Sequence, residues 1–169
     1  RRSSDLPKKI MKTFATYNLG CRVNAAETNL FAQSLINRGY TPNQKNPHII
    51  FINTCSITKK ADIESTGLIR RLRKKHPQAE IIISGCANLK DISTLPNVTI
   101  LNNAQKEKYL DNLNCAYTHQ ILDKFSHTHR FLLKVQSGCT AFCSYCTVPY
   151  KRPYLWSLPI ETAVDTVKK

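Results

Sequence analysis

The chain has 169 residues, 41% of them hydrophobic and 21% charged, which is enough apolar material for a core and unlike a disordered polypeptide. Its 25 Lys and Arg against 11 Asp and Glu leave a formal charge of +14, which suits a polyanionic partner, nucleic acid first, and equally a generic basic surface. No run approaches the ~20 apolar residues of a membrane span, and basic Arg1 to Ile10 has no apolar stretch behind it, so the expected location is the cytoplasm.

Residues Lys12 to Tyr17 read as a first strand. A helix follows, with Asn24 as expected N-cap, Glu27 three positions on, and Gly39 as its stop. Ala26, Leu30, Phe31 and Leu35 share a face that should pack on a sheet. His48 to Ile52 is short and rich in Ile and Phe, as buried parallel strands are. Thr58 is the expected cap of a second helix whose apolar face carries Ala61, Ser65, Leu68, Ile69 and Leu72. Arg70, Arg71, Arg73, Lys74 and Lys75 crowd its last turns before Pro77, where cations complement the helix macrodipole. Glu80 to Ser84 reads as a third strand, Asn97 to Leu101 as a fourth, and Ala104 to Leu113 as a short polar helix.

Strands alternating with helices predict an α/β fold with a parallel sheet covered on both faces. Cys115 to His129 has no periodicity and reads as a linker. Phe131 to Gln136 is expected as a new strand, and another helix should begin near Leu158 or Pro159. The domain division expected is 1–114, a linker at 115–129, and 130–169 as the start of a second domain. A lone strand, loop and helix cannot bury a core, so that second domain reads as truncated.

Six of the seven cysteines fall into two sets of three: Cys21, Cys55 and Cys86, each after a predicted strand, and Cys139, Cys143 and Cys146 in one loop. Without a secretion signal, a reduced compartment favours metal or cluster ligation over disulfides. Loops at the carboxyl ends of parallel strands converge on one crevice, which would bring the first set together. Three thiolates within eight residues can wrap three corners of a cubane iron–sulfur cluster, with Gly138 allowing close approach. Two alternatives stand beside this: structural zinc on the second set with His127 or His129, and buried thiols with no metal. Zinc sites usually arrange their ligands in two pairs, which this loop does not.

The loop Cys139-Thr-Ala-Phe-Cys143-Ser-Tyr-Cys146 resembles that of the radical S-adenosylmethionine enzymes, with the usual aromatic, Tyr145, before the last Cys. Asn18-Leu-Gly-Cys21-Arg-Val-Asn24-Ala-Ala-Glu27-Thr, Asn53-Thr-Cys55-Ser-Ile-Thr58-Lys-Lys-Ala61-Asp62 and Ser84-Gly-Cys86 are similar to the three motifs of the methylthiotransferase N-terminal domain. Arg130-Phe-Leu-Leu-Lys134-Val-Gln136-Ser-Gly-Cys139 is similar to the family's entry into its radical domain. The resemblance covers Lys12 to Tyr150. It implies an α/β methylthiotransferase domain followed by the first strand, loop and helix of a partial barrel. It also implies two 4Fe-4S clusters, one on Cys21, Cys55 and Cys86 for sulfur delivery, the other on Cys139, Cys143 and Cys146 binding S-adenosyl-L-methionine.

Implied further are a tRNA partner at the adenosine 37 region, a reducing electron donor and a monomeric protein. At these motifs the subfamily resembled most acts on N6-threonylcarbamoyladenosine, ahead of the isopentenyladenosine and ribosomal-protein aspartate enzymes. The implied activity is addition of a methylthio group to C2 of that base. No catalytic residue beyond the cluster cysteines is named by the resemblance.

After Tyr150 the family pattern has Arg-Gly and then Ser-Arg, where this chain has Arg152-Pro153 and Ser157-Leu158. Most of the partial barrel and a C-terminal RNA-binding domain are expected to be missing. A catalytically inactive iron–sulfur protein and a basic zinc-containing nucleic-acid-binding module are therefore the alternative readings. Lys151 and Arg152 are candidates for contact with substrate phosphate or the S-adenosylmethionine carboxylate. Asn18, Asn24 and Asn53 are candidates for cluster contacts or for ordinary turn and capping duty. Cys115 is expected to be a small buried hydrophobe, and His48 and His119 have no partner visible in the sequence and are assigned no chemistry.

Overall fold

The computed structural model describes residues 12–56, 58–87, 89, 92–112 and 132–168. Its main feature is a sheet of five parallel strands: β1 (Thr13–Asn18), β2 (Thr41–Pro42), β3 (Ile49–Thr54), β4 (Glu80–Gly85) and β5 (Val98–Ile100). The spatial order is β2-β1-β3-β4-β5. Three helices accompany it, α1 (Arg22–Asn37), α2 (Lys59–Lys75) and α3 (Asn103–Asn112). This is the expected α/β fold.

The apolar run of each central strand is explained by burial on both faces. Ile50, Ile52, Ile81 and Ile83 point to one face and pack with Ile69 and Leu72 of α2. Phe14, Phe51 and Ile82 point to the other and pack with Phe31 and Leu35 of α1. Phe31 stacks on Phe51 with ring centroids 4.0 Å apart, and Tyr109 of α3 lies 6.1 Å beyond on the same face. Full burial of each such Ile or Phe contributes about 1.5–3 kcal/mol, so the two layers dominate the favourable side of folding.

α1 and α2 thus leave the sheet on opposite faces, after neighbouring strands β1 and β3. The chain order reverses between those strands, which opens a crevice at their carboxyl ends. Cys21 follows β1 by three residues, and Cys55 and Cys86 directly follow β3 and β4.

Several local expectations hold. Thr58 caps α2, its side chain accepting from the Ala61 amide at 3.1 Å. Gly39 ends α1 with φ +83°, and α3 lies within two residues of its expected span. The N-terminus of α1 differs. Its N-cap is Cys21, without a side-chain cap bond, while Asn24 is buried inside the first turn and donates to the Thr54 carbonyl at 2.8 Å. Glu27 does not reach back to complete a capping box, because buried cations claim its carboxylate. The two-residue edge strand β2 is too short to show as a sequence pattern.

Arg73 also departs from the macrodipole account of its basic run. Arg70, Arg71, Lys74 and Lys75 are exposed, but Arg73 is buried. Its guanidinium donates to the carbonyls of His76, Ala79 (2.8 Å), Pro96 (3.2 Å) and Asn97 (3.3 Å), tying the end of α2 to the turn before β5.

In residues 132–168, β6 (Gln136–Ser137) pairs antiparallel with β7 (Trp156–Ser157), flanked by α4 (Val148–Lys151) and α5 (Ile160–Lys168). Strand structure is thus shorter than the expected Phe131 to Gln136, with none at 132–135. This stretch is docked by the Lys134 side chain, in a buried ion pair, and by the Val135 carbonyl, which accepts from the Leu158 amide at 2.8 Å. The expected linker, with Cys115, His119, His127 and His129, lies outside the described residues, as does Phe131. No helix among the described residues is long and apolar enough to cross a membrane.

Candidate cluster site and its buried ion network

The three loops of the first cysteine set are tied together by side chains on the strand ends. The Thr54 carbonyl accepts from both the Cys86 amide (3.2 Å) and Asn24 Nδ2, and the Thr54 hydroxyl accepts from the Ala87 amide at 3.2 Å. Asn24 Oδ1 in turn faces the Cys21 thiol at 3.7 Å. Gly85, with φ +110°, lets β4 approach this far, since a Cβ there would collide with the backbone of Thr54. Asn53 serves the same scaffold, its Nδ2 donating to the Asn24 carbonyl at 3.0 Å and to Glu27 at 3.3 Å. Asn18 does turn duty, accepting from the Gly20 amide at 3.1 Å.

In the second set the Ala141 amide points at Cys139 Sγ from 3.4 Å, and the Cys146 amide bonds the Cys143 carbonyl at 2.9 Å. Gly138 has φ +79°, and a Cβ on it would sit 2.5 Å from the Tyr154 carbonyl. The close approach at Gly138 is thus to the backbone of Arg152 and Tyr154. Phe142, also at positive φ, packs edge-on to Tyr150.

All six cysteines are free thiols with at least partial exposure, so the donors are available and chemically suited to iron–sulfur ligation. No group of three His, Cys, Asp or Glu among the described residues is close enough to hold a metal ion. In a cubane each of several irons takes one thiolate, and a thiolate is the donor that each cysteine of the two sets can supply.

Between the two sets lies a buried ion network that sequence reasoning missed. Glu27, fully buried on α1, receives Arg152 in a two-pronged contact, Nη1 to Oε1 at 2.6 Å and Nη2 to Oε2 at 3.1 Å. Lys134 reaches the first oxygen at 2.8 Å and Lys106 of α3 the second at 2.5 Å. Arg152 Nη2 also donates to Asn24 Oδ1 at 2.7 Å. Asn103 adds a further tie, accepting from Lys106 at 2.9 Å and donating to the Lys151 carbonyl at 2.7 Å.

Burial alone would push the Glu27 carboxyl upward, but the Arg152 hydrogen bond and the fields of Lys106, Lys134 and Arg152 hold it well below the usual carboxylate range. Burial favours loss of the Lys106 proton, and its pKa is lowered despite Glu27. Arg152 is held charged against its burial by Glu27, aided by Cys86 and Cys21. Asn24 Oδ1, which accepts from Arg152 and faces the Cys21 thiol, links the guanidinium to the first cysteine set. The expectation that Arg152 contacts an outside anion is accordingly corrected: it is buried and committed to Glu27 and Asn24. A clue was present in the sequence, because Glu27 lies on the same helical stripe as Phe31 and Leu35. A carboxylate on a buried stripe needs a cation.

The family described as uncharacterized protein family UPF0004 matches residues 13–106, the whole sheet and the first cysteine set. The chain belongs to that family. The threonylcarbamoyladenosine tRNA methylthiotransferase of Bacillus subtilis is 31% identical over 183 residues, covering 94% of this chain and 41% of the relative. That of Chlamydia pneumoniae is 29% identical over 163 residues, covering 90% and 39%. A tRNA-2-methylthio-N(6)-dimethylallyladenosine synthase of Staphylococcus saprophyticus is 29% identical over 188 residues, covering 93% and 36%. The names of these relatives are those of the methylthiotransferase family that the motifs resemble. The chain spans about two fifths of their length.

Proposed function

We propose that this chain is the cysteine-bearing portion of a cytoplasmic tRNA methylthiotransferase that adds a methylthio group to C2 of N6-threonylcarbamoyladenosine at position 37. The observation that carries the reading is the placement of Cys21, Cys55 and Cys86 at the carboxyl ends of three adjacent parallel strands. In this proposal 1–114 is the methylthiotransferase domain and 130–169 the start of a radical domain. Cys21, Cys55 and Cys86 hold one 4Fe-4S cluster, and Cys139, Cys143 and Cys146 the other, with S-adenosyl-L-methionine. Bound there, these groups supply radical chemistry at an unactivated C–H bond, together with the sulfur and methyl that are transferred.

The chain's own residues do the arranging. The Ala141 amide offers a hydrogen bond to the Cys139 sulfur, a contact that tunes thiolate ligands. Buried Arg152 sets a fixed positive charge one Asn24 side chain away from the Cys21 thiol. Arg70, Arg71, Lys74 and Lys75 stand exposed on α2 and supply sequence-independent attraction for tRNA phosphate. An external reducing donor completes the reaction, and the protein works as a monomer.

The test is anaerobic reconstitution with iron and sulfide of this chain and of two variants, each with one cysteine set replaced by Ala. About eight iron atoms per chain, falling to about four in either variant, is expected. Bound zinc without acid-labile sulfide, or iron unaffected by the replacements, overturns the reading. The base is then tested with the full-length protein on tRNA carrying either threonylcarbamoyl- or isopentenyl-adenosine. Methylthio product from the first alone is expected.

A further inference from the structure

The Glu27 carboxylate joins segments that are far apart in sequence, with Lys106 79 positions away and Arg152 125. Lys134 and Arg152 bracket the second cysteine loop, one before Cys139 and the other after Cys146. Asn24 and Glu27 lie on the first turns of α1, directly after Cys21. A single carboxylate thus stands between the two cysteine sets, with both ends of the second loop fastened to it.

Stability alone gives little reason for such an arrangement. One carboxylate and three cations share a site from which water is excluded, and the desolvation of four charges offsets much of their attraction. Apolar side chains of similar volume often replace buried ion pairs at no greater cost. What apolar packing does not supply is direction. The Arg152 fork meets the two carboxylate oxygens in one orientation, and a planar two-pronged contact of this kind specifies geometry as well as energy. The Arg152 carbonyl lies 2.9 Å from where a Gly138 Cβ would stand. The residue held by Glu27 is therefore packed against the backbone that leads into Cys139.

We infer that Glu27 is a positioning residue, whose contacts with Lys134 and Arg152 fix the Cys139–Cys146 loop against the crevice of Cys21, Cys55 and Cys86. Its importance rests on the proposed use of both sets in one reaction, whereas the contacts stand without that reading.

The experiment uses the reduced apo protein, so its result is independent of whether iron binds. Glu27→Gln and, separately, Lys134→Met are compared with wild type by hydrogen exchange and by a flexible thiol-to-thiol cross-linker mapped by mass spectrometry. Lys134→Met leaves the contact between α1 and α3 in place and serves if Glu27→Gln does not fold. In a folded variant, amides of 132–152 should exchange on the order of 100-fold faster while β3 and β4 keep their protection. Cross-links between the sets should fall while those within each set keep their yield, a split that general destabilisation would not produce. Unchanged exchange at 132–152, unchanged cross-links between the sets, or equal loss of protection in β3 and β4 overturns the inference. Failure of wild type to bind iron would instead sink the proposed function and leave this result standing.

Discussion

Replacing Arg73 by Met separates two roles within one basic run. Met keeps most of the buried stem's packing but removes the guanidinium that donates to four carbonyls around the end of α2. A hydrogen bond from a charged group contributes about 1.5–3 kcal/mol. Three of these contacts share Nη1 and will not add, so the expected loss is about 3 kcal/mol in all. With a urea slope of roughly 2 kcal/mol per molar, the unfolding midpoint should fall by about 1.5 M. Arg71→Met, on the exposed side of the same helix, should stay within about 0.5 kcal/mol of wild type. Under the proposed function the order reverses for tRNA binding by the full-length protein. Loss of Arg71 should flatten the dependence of log K on log salt by about one unit, and loss of Arg73 should leave it unchanged, if Arg71 meets a phosphate. Equal urea midpoints for the two variants would refute the stapling role of Arg73.

Three further predictions concern single contacts. Gly138→Ala forces a side chain into φ +79° against the Tyr154 carbonyl, a strain of about 1–3 kcal/mol; emission of Trp156, which pairs with Ser137, should shift to the red, and an unshifted spectrum counts against it. Thr58→Ala should cost about 1 kcal/mol in urea unfolding, with Thr58→Asp retaining most of it, since either side chain accepts at the α2 N-terminus. For pH, Glu27 lies below its ordinary value of 4.5 when folded, so its stabilisation is complete above that value and is lost as pH falls through the folded pKa. Wild type should then lose stability more steeply than Glu27→Gln below about pH 4.5, by at most about 1.4 kcal/mol per pH unit, and parallel curves would contradict the burial of a charged Glu27.

Periodicity was enough to place the four longer sheet segments and α1 to α3, because each buried face needs its apolar residues at a fixed local spacing. It also placed the first three cysteines at strand ends, and parallel connectivity then carried them to one edge of the sheet. Glycines 85 and 138 differ in legibility. The first lies in a motif, but its need became physical only once Thr54 was seen against it. The two-residue strands β2 and β7 were invisible, since a ladder so short leaves no period to detect, and β6 falls only at the end of its expected strand.

By composition alone, 25 Lys and Arg are compatible with a surface for polyanions. Composition, local pattern and the two cysteine triplets did determine the α/β class, the family and the chemistry of the donor atoms. Tertiary structure alone decided which charges face water. Arg73, Lys106, Lys134 and Arg152 are buried, and three of them converge on Glu27 from elements up to 125 positions away. No local rule can pair charges across such distances, because the pairing exists only when the sheet has brought α1, α3 and the second cysteine loop together.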